Sequence, residues 1–356
     1  MLMITFSENE HITYHFNLKK NINKIAGFDL DHTIISPKHG IFPVDESDWK
    51  YSFSEIKNNL INLNQDYNIV IFTNQKSFNS KSELICNRIN NFINDLGFIP
   101  SIIISKNDDF YRKPNIGMWE FLKINLKNDI DLDNSFFVGD AAGRVYDLKK
   151  DFSSCDYKFS LNINVKFFTP EKYLNLIDNY KYLDLDILPF KQMELLNLNH
   201  LNIPKKLNRE IIILVGLPSC GKTYFVNKFF NDYFLFNSDI NQKKNDFKNI
   251  TSKNIIIDGC NHKAIKRKFY INFAKKNNYQ IRAFYFNIDI QLSKHLDNLK
   301  MKLIPSYKKK SSLKFTNTNK YMEIPNLNES FDSVEFINFV PIFSDNTHKT
   351  LFFQYS

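Results

Sequence analysis

Short apolar runs alternate with segments of helical spacing along the first half of the chain. The apolar runs, which have the continuity of buried strands, are Lys24–Leu30, Asn68–Phe72, Ser101–Ile104 and Ser135–Val138. The segments of helical spacing are Ser54–Leu63, Leu84–Leu96 and Gly117–Leu126. Since buried strands that alternate with helices form parallel sheets covered on both faces, the pattern predicts a doubly wound parallel α/β sheet.

Polar residues follow several of these strands where each strand ends. The first run ends in two aspartates, Asp29 and Asp31; Thr73 and Asn74 follow the second, and Asp140 follows the last. Ligands of open parallel sheets bind beyond the carboxyl ends of the strands. The pattern therefore predicts one ligand site formed by these side chains.

The second half of the chain contains the sequence GLPSCGKT at residues 216–223. It fits the phosphate-binding pattern G-x-x-x-x-G-K-[ST] at every fixed position and lies between an apolar run, Ile211–Val215, and a possible helix, Tyr224–Phe230. The backbone N–H groups of such a loop and the N-terminus of the following helix face the phosphates of a nucleotide. The residues predicted to bind the nucleotide are Gly216, Leu217, Pro218, Ser219, Cys220, Gly221, Lys222 and Thr223.

Two side chains of this loop have distinct predicted roles. Lys222 reaches the β- and γ-phosphates, and the hydroxyl of Thr223 binds Mg²⁺. The second half is therefore predicted to be a P-loop NTPase-type α/β kinase domain that uses ATP as the phosphoryl donor.

With 356 residues, the chain exceeds the size of a typical single core. Residues 183–208 interrupt the rhythm of strands and helices with two prolines and a basic pair. We place a first domain at residues 1–182, the linker at 183–208 and a second domain at 209–356. Two terminal apolar stretches, Val334–Phe343 and Leu351–Tyr355, are interpreted as a hairpin.

Composition limits the possible partners and compartments. Lys and Arg total 47 against 38 Asp and Glu, a net charge of +9 that suits a nucleic acid, although the base composition of the coding sequence explains the same lysine enrichment. The four cysteines form no C-x-x-C pair, which favours reduced thiols inside a cell. No run approaches the length of a membrane span, and no signal peptide begins the chain. We expect a soluble cytoplasmic or nuclear protein with no membrane partner.

Asp29 and Asp31 have the spacing that phosphoryl chemistry requires. Side chains at i and i+2 of a strand share a face, so both carboxylates can point at one bound group. One carboxylate can attack a phosphoryl centre while the other protonates the leaving oxygen and later deprotonates water. Two carboxylates this close also need a cation, and Mg²⁺ prefers oxygen ligands.

Later residues of the first half complete a phosphate site. Thr73 and Asn74 can donate to phosphoryl oxygens, and Lys113 supplies a fixed cation. Asp140 adds a second carboxylate for the metal, with Arg144 nearby as a phosphate contact. An acid pair, a hydroxyl, a lysine and an acid in this order form the pattern of the haloacid dehalogenase superfamily of phosphatases.

A closer resemblance rests on longer motifs. The sequences FDLDHT, FPVDESDW, IFTNQ, YRKPNIGMW, FVGDAAGR and KKDFS, followed by GLPSCGKT and a terminal LFFQYS, resemble the polynucleotide kinase 3′-phosphatase family. The resemblance covers residues 24–356. It implies a haloacid dehalogenase-like 3′-phosphatase domain followed by a P-loop polynucleotide kinase domain.

The resemblance also implies roles for residues of the phosphatase half. Asp29 is the nucleophile, Asp31 the general acid and base, and Thr73 and Lys113 contact the phosphoryl group. Asp29, Asp140 and the Asp31 carbonyl are the implied Mg²⁺ ligands. His32 stands where many relatives have glycine, and it is interpreted as a tolerated replacement at a position with positive φ.

In the kinase half, the resemblance implies Asp239 as the general base for a 5′-hydroxyl, although a helix N-cap explains this aspartate nearly as well. The auxiliary residues that it implies are Asp258, Asn261 and Arg267. Two features depart from the family. Ser238 stands where the family has an arginine, and the stretch that matches the arginine-bearing lid offers only Lys300 and Lys302, which lack the bidentate fork of arginine.

Together these observations predict a bifunctional end-healing enzyme for DNA or RNA. It removes a 3′-phosphate through an aspartyl-phosphate and transfers the γ-phosphate of ATP to a 5′-hydroxyl, the two products that a ligase partner joins. One alternative is a phosphatase and kinase fusion that acts on small molecules. The other is a nucleic-acid 3′-phosphatase whose degenerate kinase domain is kept for binding broken ends.

Overall fold

The computed structural model describes residues 2, 4–126, 128–146, 149–176, 181–182, 201–238, 247, 250, 252–304 and 306–356. The chain divides into two compact units. The first consists of Met1–Leu185 with Gln354–Ser356, and the second of Asp186–Phe353. Much of the predicted linker, residues 183–200, lies outside the described residues, so the domain bounds inferred from the sequence stay a prediction.

The last three residues belong to the first unit, although the sequence-based boundary placed them in the second domain. Asn162 holds the backbone of Tyr355 from both sides: its Nδ2 donates to the Tyr355 carbonyl at 2.9 Å, and its Oδ1 accepts from the Tyr355 N–H at 2.7 Å. Lys158 Nζ donates to the carbonyl of Ser356 at 2.8 Å. These hydrogen bonds are the physical reason for the assignment.

The first unit is built on a large sheet. The strands are β1 Ser7–Glu8, β2 Ile12–His15, β3 Ile25–Phe28, β4 Ile35–Ser36, β5 Lys50–Tyr51, β6 Asn68–Asn74, β7 Ser101–Ser105, β8 Phe136–Val138, β9 Arg144–Tyr146, β10 Lys149–Lys150, β11 Lys166–Phe168 and β12 Lys181–Tyr182. A seven-stranded sheet has the order β1-β2-β7-β6-β3-β8-β11, and the smaller sheets have the orders β10-β9-β12 and β4-β5. Strands β7, β6, β3, β8 and β11 are parallel, whereas β1 and β2 form an antiparallel edge.

Helices cover both faces of the seven-stranded sheet. They are α1 Ile56–Leu63, α2 Phe78–Leu96, α3 Gly117–Leu126, α4 Cys155–Asn162 and α5 Pro170–Tyr173. Alternate residues of β6 enter different cores: Ile69 and Ile71 lie in the cluster that contains Phe92 of α2, whereas Val70 and Phe72 lie in the cluster of α3 and α4. The prediction of a doubly wound α/β sheet is confirmed.

The second unit has a five-stranded sheet in which every pairing is parallel. Its strands are β13 Glu210–Gly216, β14 Phe234–Asn237, β15 Ile255–Asp258, β16 Gln280–Phe286 and β17 Ser333–Ile337, and their order is β14-β15-β13-β16-β17. The helices are α6 Lys222–Phe229, α7 Ala264–Lys276, α8 Ile290–Leu303, α9 Ser312–Lys320 and α10 Asn346–Phe352, with a 3₁₀ turn at Leu327–Glu329. Ile211 and Ile213 of β13 pack in the core of α7, and Ile212 and Leu214 in the core of α6. The unit is therefore the predicted P-loop α/β layer structure.

The predicted terminal hairpin is wrong. Strand β17 pairs in parallel with β16 instead of turning back on a following strand. The second apolar stretch begins only at the end of helix α10. The side chain of Asp345 accepts the backbone N–H of His348 at 2.7 Å and caps this helix. Phe352 at the end of α10 is buried. Within the described part of the chain, no helix is long and apolar enough to cross a membrane.

Candidate active sites

The first site lies at the carboxyl edge of the seven-stranded sheet, immediately after β3. The Asp29 N–H donates to the carbonyl of Val138 at 2.9 Å, which fixes Asp29 beside the end of β8. Asp29 Oδ1 accepts from Lys113 Nζ at 2.6 Å, and the same ammonium lies 2.7 Å from Asp156 Oδ1. The side chains of Lys113 and Asp156 are each only 1% exposed. This group of charges is therefore largely shielded from water.

Three carboxylates converge at this site. Ligand oxygens of Asp29, Asp140 and Asp156 lie within 4.8 Å of one another. Thr33 orients Asp140, because its Oγ1 donates to Asp140 Oδ1 at 3.2 Å and accepts from the Asp140 N–H at 3.0 Å. Clustered carboxylate oxygens are the donor set that hard divalent cations prefer. The residues present thus fit the implied Mg²⁺ ion.

The pKa values of Asp29, Asp140 and Lys113 are shifted by the excess of buried negative charge at this site. Burial raises the pKa of Asp29 well above its ordinary value; Lys113 opposes this shift, and Asp156 and Asp140 add to it. Burial, reinforced by Asp156, raises the pKa of Asp140 to about 7. Burial disfavours the charge on Lys113, but Asp156 and Asp29 outweigh it and raise the lysine pKa. One ammonium does not neutralise three carboxylates, and a cation would supply the missing charge.

Sequence reasoning missed Asp156, which lies in the first turn of α4 and not at the end of a strand. Its Oδ2 accepts the backbone N–H of Ala141 at 3.1 Å. A Cβ atom at Gly139 would lie 2.5 Å from both the Cβ and the Oδ2 of Asp156. Glycine is thus required at 139 for this approach. An aspartate just after the KKDFS motif was the available signal.

Asp31 is held by two donors that the sequence analysis also missed. Arg88 NH2 donates to Asp31 Oδ1 at 2.6 Å, and Gln75 Nε2 donates to Asp31 Oδ2 at 2.6 Å. The Arg88 side chain is 1% exposed, and its Nε and NH1 have no hydrogen-bond partner within the described structure. The Asp31 carboxylate therefore carries the charge that compensates a buried guanidinium.

The predicted phosphate contacts Thr73 and Asn74 occupy different positions. Thr73 is 1% exposed, and its Oγ1 accepts from Gln75 Nε2 at 2.9 Å, next to Asp31. Asn74 holds the backbone of Lys113, with its Nδ2 donating to the Lys113 carbonyl at 3.1 Å and its Oδ1 accepting the Lys113 N–H at 3.0 Å. This geometry favours Asn74 as a residue that positions Lys113.

Arg144, the other predicted phosphate contact, is 4% exposed. Its Nε lies 2.9 Å from Asp151 Oδ2, its NH1 2.7 Å from Glu171 Oε2, and its NH2 3.0 Å from the Asp140 carbonyl. Arg144 therefore braces the loop that carries Asp140. Its role as a phosphate contact stays a prediction.

His32 has a φ of 62°, in the left-handed region where glycine is favoured. Its N–H donates to the carbonyl of Ile35 at 2.7 Å, which closes the turn after Asp31. The backbone conformation inferred for this position is present.

The second site is the loop between β13 and α6. Gly216 and Gly221 have φ values of 155° and 92°, and a Cβ at Gly216 would lie 3.0 Å from both Cys220 Sγ and the Phe286 carbonyl. Lys222 is 7% exposed, and its Nζ donates to the carbonyl of Leu217 at 2.5 Å. The loop thus folds tightly around the lysine.

Several hydrogen bonds connect this loop to the end of β15. Thr223 Oγ1 donates to Asp258 Oδ2 at 2.7 Å, so a hydroxyl and a carboxylate suited to Mg²⁺ lie together. The Ser238 N–H donates to the Asp258 carbonyl at 2.7 Å, and Ser238 Oγ to Asn261 Oδ1 at 3.1 Å. Asn261 Nδ2 donates to the Leu214 carbonyl at 2.9 Å. Asn261 therefore joins β13 to the segment after β15.

Arg267 on α7 is fully buried. Its Nε and NH2 donate to the two Glu329 oxygens at 2.8 and 2.5 Å, and its NH1 donates to the carbonyls of Asn261 at 2.9 Å and Glu323 at 3.0 Å. The geometry assigns Arg267 to positioning the Asn261 segment. Asp239, the predicted general base, lies outside the described residues.

A cavity of about 530 Å³ adjoins the P-loop. Its lining includes Lys222, Thr223, Asp258 and Lys300. Lys302 is not among the lining residues, and burial lowers its pKa to about 7. The structure thus brings Lys300, but not Lys302, to the predicted nucleotide site.

The two folds and their sites define a haloacid dehalogenase-type phosphatase joined to a P-loop kinase. The family model described as polynucleotide kinase 3 phosphatase matches residues 24–174. A protein of Acanthamoeba polyphaga mimivirus described as a bifunctional polynucleotide phosphatase/kinase is 32% identical over 89% of this chain and 85% of its own length. The bifunctional polynucleotide phosphatase/kinase of Schizosaccharomyces pombe is 29% identical over 94% of this chain and 84% of its own. The chain belongs to the bifunctional polynucleotide phosphatase/kinase family.

A likeness to one solved structure covers part of the chain. The D,D-heptose 1.7-bisphosphate phosphatase of B. bronchiseptica, complexed with magnesium and phosphate, is 17% identical. The likeness covers 45% of this chain and 92% of that protein, with a TM-score of 0.33.

Proposed function

We propose that the first unit hydrolyses 3′-phosphates at nucleic-acid ends and that the second unit phosphorylates 5′-hydroxyls with ATP. The observation that carries the first assignment is the convergence of Asp29, Lys113, Asp140 and Asp156 within hydrogen-bond or ligand distance at the edge of the sheet. The second is supported by the glycine-lined loop with Thr223 bonded to Asp258.

In the phosphatase reaction, an Asp29 carboxylate oxygen attacks phosphorus and the bond from phosphorus to the 3′-oxygen breaks. Asp31, protonated once the substrate is bound, gives its proton to that leaving oxygen and later takes one from the water that hydrolyses the aspartyl-phosphate, which regenerates Asp29 and releases phosphate. Lys113 holds Asp29 and offsets the charge of the phosphoryl oxygens. Arg88 and Gln75 fix the Asp31 carboxylate in place.

Asp29, Asp140 and the carbonyl of Asp31 would hold Mg²⁺, with Asp156 as a neighbour that also anchors Lys113. The ion, when bound, neutralises charge on the phosphoryl group and on the clustered carboxylates. In this proposal, Thr73 donates to a phosphoryl oxygen.

In the kinase reaction, the backbone of the P-loop and Lys222 hold the phosphates of ATP, and Thr223 and Asp258 would hold its Mg²⁺. Asp239 accepts the proton of the 5′-hydroxyl as that oxygen attacks the γ-phosphorus and the bond to the β-γ bridging oxygen breaks. The products of both units, a 3′-hydroxyl and a 5′-phosphate, are the ends that a ligase joins, so we propose a ligase as the downstream partner.

One oligonucleotide experiment tests both halves. A strand with a 5′-hydroxyl and a 3′-phosphate is incubated with Mg²⁺, labelled ATP and the full chain, beside Asp29→Ala and Lys222→Ala. We expect Asp29→Ala to lose only phosphate release and Lys222→Ala to lose only label transfer. DNA, RNA and mononucleotide substrates are compared in parallel. Retention of both activities by both variants would refute the site assignments, and turnover of mononucleotides alone would favour the small-molecule alternative.

A further inference from the structure

A compact polar cluster lies beside the P-loop and involves none of the residues that the sequence assigned to the kinase lid. It consists of Ser219, Asp297, Tyr307 and Lys310. Asp297 is 1% exposed, and its Oδ1 accepts from Ser219 Oγ at 2.6 Å and from the Tyr307 hydroxyl at 2.5 Å. Its Oδ2 accepts the backbone N–H of Lys310 at 2.9 Å. Asp297 thus ties the P-loop, α8 and the segment after α8 to one buried carboxylate.

The Lys310 ammonium points at the P-loop itself. Its Nζ donates to Ser219 Oγ at 3.0 Å, lies 3.3 Å from Asp297 Oδ1, and also donates to the Tyr307 hydroxyl. Ser219 belongs to the loop whose backbone N–H groups cradle nucleotide phosphates. The Lys310 ammonium therefore lies beside the predicted phosphate-binding loop, and Lys310 lines the cavity that adjoins it.

Lys300 approaches the same tyrosine. Lys300 Nζ and Lys310 Nζ lie 4.6 and 4.9 Å from the centroid of the Tyr307 ring, and both lysines line the cavity of about 530 Å³. Burial and, after it, the charge of Lys310 lower the pKa of Lys300, so the two ammonium groups repel each other and a bound anion would relieve that repulsion. Asp297 offsets one of the two charges.

We propose that Lys310 is a phosphate-binding and catalytic residue of the kinase, acting with Lys300 as a two-ammonium clamp that Tyr307 and Asp297 position. This inference rests on the proposed kinase function and names a residue of its site. A single lysine is a point charge and cannot reproduce the fork of arginine on a phosphoryl group. Lys300 and Lys310, both next to Tyr307, can make two separate contacts to a phosphoryl group and so replace the bidentate contact of an arginine.

The test uses the full chain and an oligonucleotide with a 5′-hydroxyl. Lys310→Ala should lower the kinase kcat by on the order of 10²-fold, as removal of one preorganised donor to a transition state does. Lys310→Arg should recover most of that loss, because the charge remains. Lys308→Ala is the matched control, because this neighbouring lysine is exposed and does not line the cavity. The kcat of this variant should stay near that of the unaltered chain.

Two further readouts separate catalysis from folding. The phosphatase rate of each variant, measured in the same preparation, and its thermal unfolding should not change. ATP binding, measured by titration without an acceptor strand, should be weaker for Lys310→Ala than for Lys308→Ala. The proposal is overturned if Lys310→Ala keeps the kcat and ATP affinity of the unaltered chain, or if Lys310→Arg is as inactive as Lys310→Ala and both unfold at a lower temperature.

The Lys222→Ala variant separates this proposal from the function on which it rests. If the unaltered chain transfers phosphate and Lys222→Ala does not, the kinase assignment holds whatever Lys310→Ala does. If the unaltered chain transfers none, the kinase assignment fails, and the ATP titration alone decides whether Lys310 binds phosphate.

Discussion

Because Asp31 contacts Arg88, we predict that the two aspartates of the phosphatase motif contribute differently to the stability of the first unit. Arg88 is 1% exposed and its only hydrogen bond within the described structure is to Asp31 Oδ1 at 2.6 Å. The change Asp31→Asn keeps the size of the side chain but removes its charge. It leaves a buried guanidinium without a counter-charge, so the first unit should become less stable.

The magnitude follows from the burial of the two partners. Removal of one partner from a fully buried ion pair costs about 3–5 kcal/mol. The side chain of Asp31 is 32% exposed, so water reaches the site and replaces part of the lost interaction. We therefore expect a loss of about 2–3 kcal/mol, which lowers the Tm of a unit of this size by roughly 4–12 °C.

Asp29→Asn is the matched control, because the same chemical change is made two residues away. Burial already penalises the charged form of Asp29, and Lys113 keeps Asp156 as a partner at 2.7 Å when the Asp29 charge is removed. This variant should leave the Tm unchanged or raise it. We expect both variants to lose phosphatase activity, so activity cannot account for the difference in stability.

The assay is calorimetric unfolding of the full chain with EDTA present, with Asp31→Asn, Asp29→Asn and the double variant Asp31→Asn with Arg88→Met. Methionine removes the unpaired charge and fills the same buried space, so the double variant should regain most of the lost stability. The reasoning is refuted if the two aspartate variants shift the Tm equally. It is also refuted if Arg88→Met lowers the Tm further in the Asp31→Asn background.

The sequence identified the residues that lie at the ends of strands. Asp29, Lys113 and Asp140 are brought together because the carboxyl ends of parallel strands and the loops beside them share one edge of the sheet. Arg88 and Asp156 lie on helices instead. A charged residue on a helix normally faces solvent, and no spacing rule distinguishes an arginine that is turned inward, such as Arg88, from one that faces solvent.

In the kinase half, too, the sequence pattern identifies local motifs but not the side chains that come together only in the fold. The P-loop is a local motif, and its backbone conformation follows from Gly216 and Gly221. Lys310 is one of three consecutive lysines, and only the hydrogen bonds of Asp297 distinguish it from its exposed neighbours. The terminal hairpin was predicted wrongly because the apolar pattern does not reveal that β17 pairs in parallel with β16, or that the Asp345 cap starts a helix before the second run.

Three further predictions concern buried groups near the sites. Gly139→Ala places a methyl group against Asp156 and should abolish phosphatase but not kinase activity in paired assays. Arg267→Lys cannot keep both bonds to Glu329 and should destabilise the second unit by about 2–4 kcal/mol in a denaturant titration; an unchanged midpoint would contradict this. The third concerns pH. Burial raises the pKa of Asp140 to about 7, so the folded state holds a proton that the unfolded state releases near pH 4. The stability that this proton provides is complete below pH 4 and is lost as the pH rises towards 7. Asp140→Asn mimics the protonated form, so in EDTA the unaltered chain should unfold at a lower temperature than this variant, by a gap that widens from pH 4 to pH 7 and is complete at pH 8. Because Mg²⁺ binds the deprotonated carboxylate, it should reverse the difference at pH 8, and a gap between the two proteins that does not change with pH would exclude Asp140 as the titrating group.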